Sequence, residues 1–289
     1  MDIDRLIKDK IKEFVRTSPV NRMTLLDNSP IFDEPLINFA DGDDPLFIEY
    51  KTIIDPSHFT PREALAQALN RSPADMPARL SVISWILPIT SQTRESNYPR
   101  SRGPSRLWGY TRWYGEQFND TLREYVAKLL TDMGHLAAAP VVQPYFRFWN
   151  YTEEKGYFSN WSERHVAYAA GLGTFSLSDG FITECGIAHR CGSVVTNLPL
   201  PACPRTADGP YSNCLFYMNG ECRECIRRCP VGAITEQGHD KTRCREYLDN
   251  QLIDLQEDYG VELIGCGLCQ TQVPCEFRNP VKKPEGKTA

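Results

Sequence analysis

Eight cysteines between Cys214 and Cys275 carry the chemistry this sequence can perform. They run as Cys214, then Cys222-Arg-Glu-Cys225-Ile-Arg-Arg-Cys229-Pro230, a lone Cys244, and Cys266-Gly-Leu-Cys269 followed by Cys275. Thiolates separated by two or three residues wrap naturally around one polynuclear centre, and iron–sulfur clusters are what such spacing holds best. The competing reading is a zinc ribbon built on two C-x2-C pairs, Cys222/Cys225 and Cys266/Cys269. It leaves Cys214, Cys229, Cys244 and Cys275 without a role.

The segment Cys222 to Pro230 matches the tail of the bacterial ferredoxin run C-x2-C-x2-C-x3-C-P, whose fourth cysteine ligates the other cluster. The leading position of that run is Asn219 here, so Cys214, the nearest upstream thiol, takes its place across a longer loop. The cross-over assigns one [4Fe–4S] cluster to Cys214, Cys222, Cys225 and Cys275. The other falls to Cys229, Cys244, Cys266 and Cys269. Each set counts four, the number a cubane needs. Cys185, Cys191 and Cys203 lie outside the pattern and read as buried, inert thiols. Cys203 is the reserve candidate for the place given to Cys214.

The elements that must position these thiols are legible in part. Ile3, Leu6, Ile7, Ile11, Phe14 and Val15 recur at helical spacing, with Asp2 or Asp4 as cap. Residues 18–56 are rich in Pro, Asp and Asn and predict an extended, turn-filled segment. Thr60-Pro-Arg-Glu63 starts a helix with a capping box and a first-turn proline. Leu80 to Ile89 is a continuous apolar run, a strand buried on both faces. Between 94 and 114, five arginines alternate with Tyr98, Trp108, Tyr110, Trp113 and Tyr114. That texture can stack bases or grip phosphates, line a cofactor mouth, or form a loop whose arginines pair with acidic residues elsewhere. Thr121 to Gly134 reads as an amphipathic helix with a left-handed stop, and a further helix begins at Ser162 and ends at Gly171-Leu172-Gly173. A last strand covers Ser193 to Thr196.

Bulk properties narrow the setting. The 289 residues carry a net charge of −5, which gives no general attraction to nucleic acid. No apolar run reaches membrane-spanning length and no signal peptide is evident at Met1-Asp-Ile-Asp, so a cytoplasmic location is expected, away from any membrane. There cysteines serve metals or catalysis more than disulfides. After Pro201 the composition turns to Cys, Gly, Pro and charge. A boundary near residue 205 then separates a domain of residues 1–205 from one of residues 206–289, which is small enough to need metal sites as staples.

Trp161-Ser-Glu-Arg-His165-Val-Ala-Tyr-Ala-Ala170-Gly-Leu-Gly173 and Cys191-Gly-Ser-Val-Val-Thr-Asn-Leu-Pro-Leu-Pro201, followed by the ordered cysteines, resemble the epoxyqueuosine reductase family. Corrinoid-dependent reductive dehalogenases are its relatives. The resemblance implies an α/β (α+β) architecture: a nitroreductase-like domain holding base-off cobalamin, then a two-cluster ferredoxin domain that reduces it. It further implies that Gly171, Gly173, Thr174, Phe175, Ser176 and His165 border the cofactor. Tyr157 falls at the family's acid position, where it would be a proton donor or an aromatic wall.

Departures from the family are also visible. Thr174-Phe-Ser-Leu177 replaces the usual Trp, Gly and Lys, Pro274 precedes the last cysteine, and the helical-repeat extension that holds tRNA does not follow Cys275. From these and the acidic charge, a small organic substrate and a low-potential donor such as ferredoxin or flavodoxin are expected as partners, with tRNA unlikely. The alternatives are a ferredoxin-type electron carrier without corrinoid, and a flavin-dependent reductase on the same fold.

Overall fold

The computed structural model describes residues 2–148, 150–154 and 156–282. The chain forms two compact units that alternate along the sequence. One comprises Met1–Thr90, Thr111–Leu172 and Arg190–Thr206; the other comprises Ser91–Tyr110, Gly173–His189 and Ala207–Ala289. Two segments upstream of residue 205 therefore count with the cysteine-rich unit.

The first unit is built on a four-stranded sheet in the order Leu36–Asp41, Ser81–Pro88, His189–Thr196, Ala137–Ala138. Every residue of Ser81–Pro88 is buried, as its unbroken apolar run requires. It pairs antiparallel with Leu36–Asp41, placing Ile37 opposite Trp85 and Phe39 opposite Ile83. The helix Ile3–Thr17 buries Ile7, Ile11 and Val15, the expected stripe, although Asp2 makes no side-chain cap. The helix Pro61–Ala68 begins on the expected capping box: Thr60 Oγ1 accepts from Glu63 N at 3.2 Å, and Glu63 Oε2 accepts from Thr60 N at 2.8 Å.

Two expectations change. Residues 18–56 are not merely extended, because they contain the strand Leu36–Asp41 and the helix Leu46–Ile53. Tertiary burial of Ile37, Phe39, Phe47 and Tyr50 outweighs the turn-forming residues around them. The helix expected from Thr121 instead runs Arg106–Asp132. Thr121 Oγ1 bonds back to Gln117 O at 2.9 Å and caps nothing. Gly134 ends the helix with φ 86°, as expected.

The cysteine-rich unit holds a hairpin of Gly173–Phe175 and Phe181–Thr183. Short helices follow at Leu215–Asn219 and Glu224–Arg228, then longer ones at Lys241–Gln251 and Ile253–Tyr259. Its arginines from the 94–114 stretch meet carboxylates: Arg94 with Glu276 at 3.0 Å, Arg102 with Asp254 at 2.9 Å, and Arg106 with Asp258 at 3.2 Å. Pairing with the acidic excess accounts for these three side chains. No helix among the described residues is long and apolar enough to cross a membrane.

Candidate metal centre

Cys214, Cys222, Cys225 and Cys275 line one partly open pocket, together with Ile182 and Phe216. Cys214 sits at the start of the helix Leu215–Asn219, and Gly220 ends that helix in the left-handed region, turning the chain back toward Cys222. Cys225 lies within the helix Glu224–Arg228. Leu177, Ile182, Ile187, Ile234 and Val273 form the apolar wall around Cys214.

Electrostatic coupling groups the thiols. Burial pushes the Cys225 thiol up to about 12, and Cys214 and Cys222 add to the effect. Cys275 is raised by burial and then by Cys214, Cys225 and Cys222. Elsewhere in the unit, burial pushes Cys266 up to about 12, with Cys244 and Cys229 acting in the same direction. Cys269 is raised by burial and by Cys266 and Cys244 ahead of Cys225 and Cys229. Cys229 Sγ also accepts a hydrogen bond from Ala233 N at 3.2 Å. Thiols that raise one another's pKa disfavour each other's ionisation, which a positive centre nearby would relieve.

Among the described residues, no group of three or more His, Cys, Asp or Glu side chains is arranged to hold a metal ion.

Cys203 belongs to the other unit, where its N–H bonds Phe39 O at 2.8 Å. Cys185 N bonds Thr183 Oγ1 at 3.1 Å in the turn after the Phe181–Thr183 strand. Burial pushes the Cys191 thiol up to about 12, which leaves it an unreactive neutral thiol.

The residues expected at the cofactor edge are committed within the protein. A Cβ on Gly171, whose φ is 70°, would meet Pro204 O at 2.6 Å, and one on Gly173 would meet Ile182 O at 2.2 Å. These glycines allow close approach of backbone to backbone. Thr174 Oγ1 accepts from Asn213 N at 2.9 Å, Ser176 Oγ lies 3.1 Å from Ser178 Oγ, and Phe175 meets Phe181 edge-on. Tyr157 stands opposite Tyr151 in the hairpin of Asn150–Thr152 and Gly156–Phe158, with ring centroids 5.0 Å apart. His165 Nδ1 lies 2.8 Å from Ser162 Oγ, and its ring meets Tyr50.

Two polar devices in the first unit escaped the sequence. The first is Arg123, only 1% exposed, which donates to Glu116 at 2.8 Å, Asp120 at 2.6 Å, Glu163 at 3.3 Å and Cys191 O at 3.0 Å. Ser193 donates to Glu163 Oε2 at 2.5 Å and accepts from Trp161 Nε1 at 3.0 Å. Burial would raise the Glu116 carboxyl, but Arg123, Arg190 and Arg112 hold it down at about 2. Glu163 moves the opposite way, because burial outweighs Arg123 and Ser193. A spacing of seven between Glu116 and Arg123, and of four between Arg112 and Glu116, was the available signal.

The second device is His58, fully buried, whose Nε2 accepts from Ser162 N at 3.0 Å while the ring stacks on Trp161. Burial lowers its pKa to about 4, and Lys51 pushes the same way. Protonation in the unfolded chain occurs near 6.5, so between pH 6.5 and 4 the unfolded state binds the extra proton. Stability contributed by neutral His58 is therefore complete above about pH 6.5 and is lost as pH falls to about 4. The loss is roughly 3 kcal/mol. Urea midpoints measured across this range should drop for the native chain and much less for His58→Gln. Equal slopes for both proteins would remove His58 from the acid response.

No protein-family model matches the chain. Over 127 residues it is 32% identical to an epoxyqueuosine reductase of Francisella cf. novicida (strain Fx1), a match covering 40% of this chain and 32% of the relative. An epoxyqueuosine reductase of Vibrio cholerae serotype O1 is 32% identical over 119 residues, with 39% and 30% covered. Over these stretches the chain is similar to the epoxyqueuosine reductases. The matches span about a third of the length of these curated relatives.

A crystal structure of epoxyqueuosine reductase with an epoxyqueuosine-modified tRNA-Tyr stem loop superposes with a TM-score of 0.53 at 19% identity, covering 94% of this chain and 66% of the other. A selenomethionine-labelled epoxyqueuosine reductase gives 0.52 at 19% identity, with the same coverage. The chain thus shares the mixed α/β fold of these reductases. These findings overturn the expectation of a small-molecule substrate with tRNA unlikely, since the relatives are named for a tRNA nucleoside and one matched structure holds a tRNA stem loop. Net charge averages the whole surface and does not govern a local RNA-binding face.

Proposed function

We propose that this chain is an iron–sulfur reductase of the epoxyqueuosine reductase kind, acting on a modified nucleoside carried by tRNA. Its cysteine-rich unit is a two-cluster ferredoxin module. One [4Fe–4S] cluster is held by Cys214, Cys222, Cys225 and Cys275, and the other by Cys229, Cys244, Cys266 and Cys269. The observation that carries the reading is the cavity lined by four thiols from three separate stretches of the chain. They are the four that the cross-over of a ferredoxin motif assigns to one cluster.

The two sets of thiols would hold the cubanes, which would supply single electrons to an acceptor. The apolar wall at Cys214 excludes water from that cluster, which sets its potential together with hydrogen bonds to sulfur. The acceptor implied by the resemblance is base-off cobalamin, which when reduced supplies a strong nucleophile or one-electron reductant. Gly171 and Gly173 lie close against protein backbone, and Thr174 and Ser176 share hydrogen bonds within the chain.

Addition of cob(II)alamin to the anaerobically reconstituted chain should give the EPR spectrum of the base-off form. Two intact clusters with no corrinoid signal would reduce the assignment to an electron carrier. Flavin released on denaturation would replace the corrinoid with a flavin.

A further inference from the structure

Arg228 closes the helix Glu224–Arg228, next to Cys229 and three residues after Cys225. Its neighbours in sequence therefore belong to the two different proposed clusters. The guanidinium divides its donors between the loop around Cys266 and Cys269 and the stretch of Asn97 and Arg100. Nε donates to Leu268 O at 3.3 Å and Thr271 O at 3.2 Å. Nη1 donates to Arg100 O at 3.1 Å, and Nη2 to Asn97 O at 3.3 Å and Thr271 Oγ1 at 3.4 Å. Thr271 is fully buried, and its hydroxyl also takes the Asn97 amide at 3.3 Å.

Among the described residues, every one of these acceptors is a carbonyl or hydroxyl oxygen. Carbonyl dipoles solvate the charge but do not cancel it. The surface arginines of the same unit behave differently: Arg102 and Arg106 each meet an aspartate. Arg223 and Arg227 likewise meet glutamates. A half-buried cation held without a carboxylate is costly unless something anionic lies nearby.

We propose that Arg228 is the counter-cation of the cluster held by Cys229, Cys244, Cys266 and Cys269, and that its fork fixes the loop carrying Cys266 and Cys269. Arg228 is a positioning residue, and the assignment rests on the two-cluster reading above. A cubane with four thiolates is anionic and gains a further negative charge on reduction. A fixed positive charge stabilises the reduced form more than the oxidised one and raises the potential. Arginine keeps its charge at every working pH.

The test is an EPR-monitored redox titration, with iron counting, of the full chain reconstituted anaerobically as wild type, Arg228→Lys and Arg228→Gln. Arg228→Gln should lower the reduced-to-oxidised ratio of one couple by about tenfold at fixed poise, equal to 59 mV for a one-electron couple, and leave the other couple in place. Arg228→Lys should keep the potential but release half of its iron faster to a chelator, because the ammonium cannot span five acceptors. Loss of half the iron from Arg228→Gln alone, with Arg228→Lys fully loaded, also supports the charge assignment. Unchanged potentials in a fully loaded Arg228→Gln would overturn it, as would equal loss from both variants, which would leave only the fork. A wild-type chain that takes up no clusters would sink the parent reading itself.

Discussion

Cys275→Ser, reconstituted anaerobically, should lose about half of its iron and one of two redox couples, whereas Cys266→Ser should lose the other half. The two cysteines are nine residues apart in sequence, and a local reading would put them on one centre. The structure groups Cys275 with Cys214, Cys222 and Cys225 around one cavity, and couples Cys266 to Cys244 and Cys229. Cys222→Ser should therefore behave like Cys275→Ser, and Cys229→Ser like Cys266→Ser, although Cys222 and Cys229 share one short motif. EPR of the reduced variants distinguishes the two outcomes, because each should retain a single and different spectrum. If Cys229→Ser and Cys222→Ser abolished the same couple, the clusters would be sequential and the cross-over wrong.

Arg123→Met should destabilise the chain by roughly 3–5 kcal/mol, the range for breaking a buried ion pair from one side. Methionine fills much of the space but leaves Glu116, Asp120 and Glu163 facing one another without their cation. Arg190 and Arg112 stand farther from Glu116, at 3.8 Å and 3.9 Å, and cannot replace the bonds to Asp120, Glu163 and Cys191 O. Cys191 O also accepts from Asn119 Nδ2 at 2.8 Å, and Asn119 Oδ1 accepts from Trp85 Nε1 at 2.9 Å. One guanidinium thus ties the long helix to the strand His189–Thr196 and to the helix Glu163–Ala169. Urea unfolding followed by tryptophan fluorescence measures the change. Partial recovery on adding Glu116→Gln is expected, since that removes one unpaired carboxylate. A loss below about 1 kcal/mol would mean that water replaces Arg123.

How much was legible follows from which residues carry each signal. Thr60-Pro-Arg-Glu63 and the apolar run at 81–88 were plain because local chemistry and tertiary burial agree there. The start of the long helix was hidden because its buried face runs through Thr111 and Gly115 between Trp108 and Phe118. A polar residue and a glycine break the apolar stripe that marks a helix face, and the Gly115 site is filled by Phe32. The strand Leu36–Asp41 was masked by neighbouring turn residues for the same reason.

At the candidate site, cysteine spacing carried the grouping, because thiolate ligands are written into short motifs. His58 and Arg228 were invisible, and of the Arg123 network only the Arg112–Glu116–Arg123 spacing was on view. Their roles depend on carbonyls and carboxylates brought from distant stretches, and no spacing encodes that. The Gly171-Leu172-Gly173 turn drew attention to a cofactor edge, yet its glycines meet protein backbone.

The central claim is that eight thiols hold two interleaved cubanes. Iron and acid-labile sulfide, counted per chain after anaerobic reconstitution and combined with the EPR spectrum of the reduced protein, test it most directly. Two interleaved cubanes give about eight of each, with a spectrum broadened by two interacting clusters. About four of each with an isolated spectrum, or stoichiometric zinc without sulfide, would contradict it.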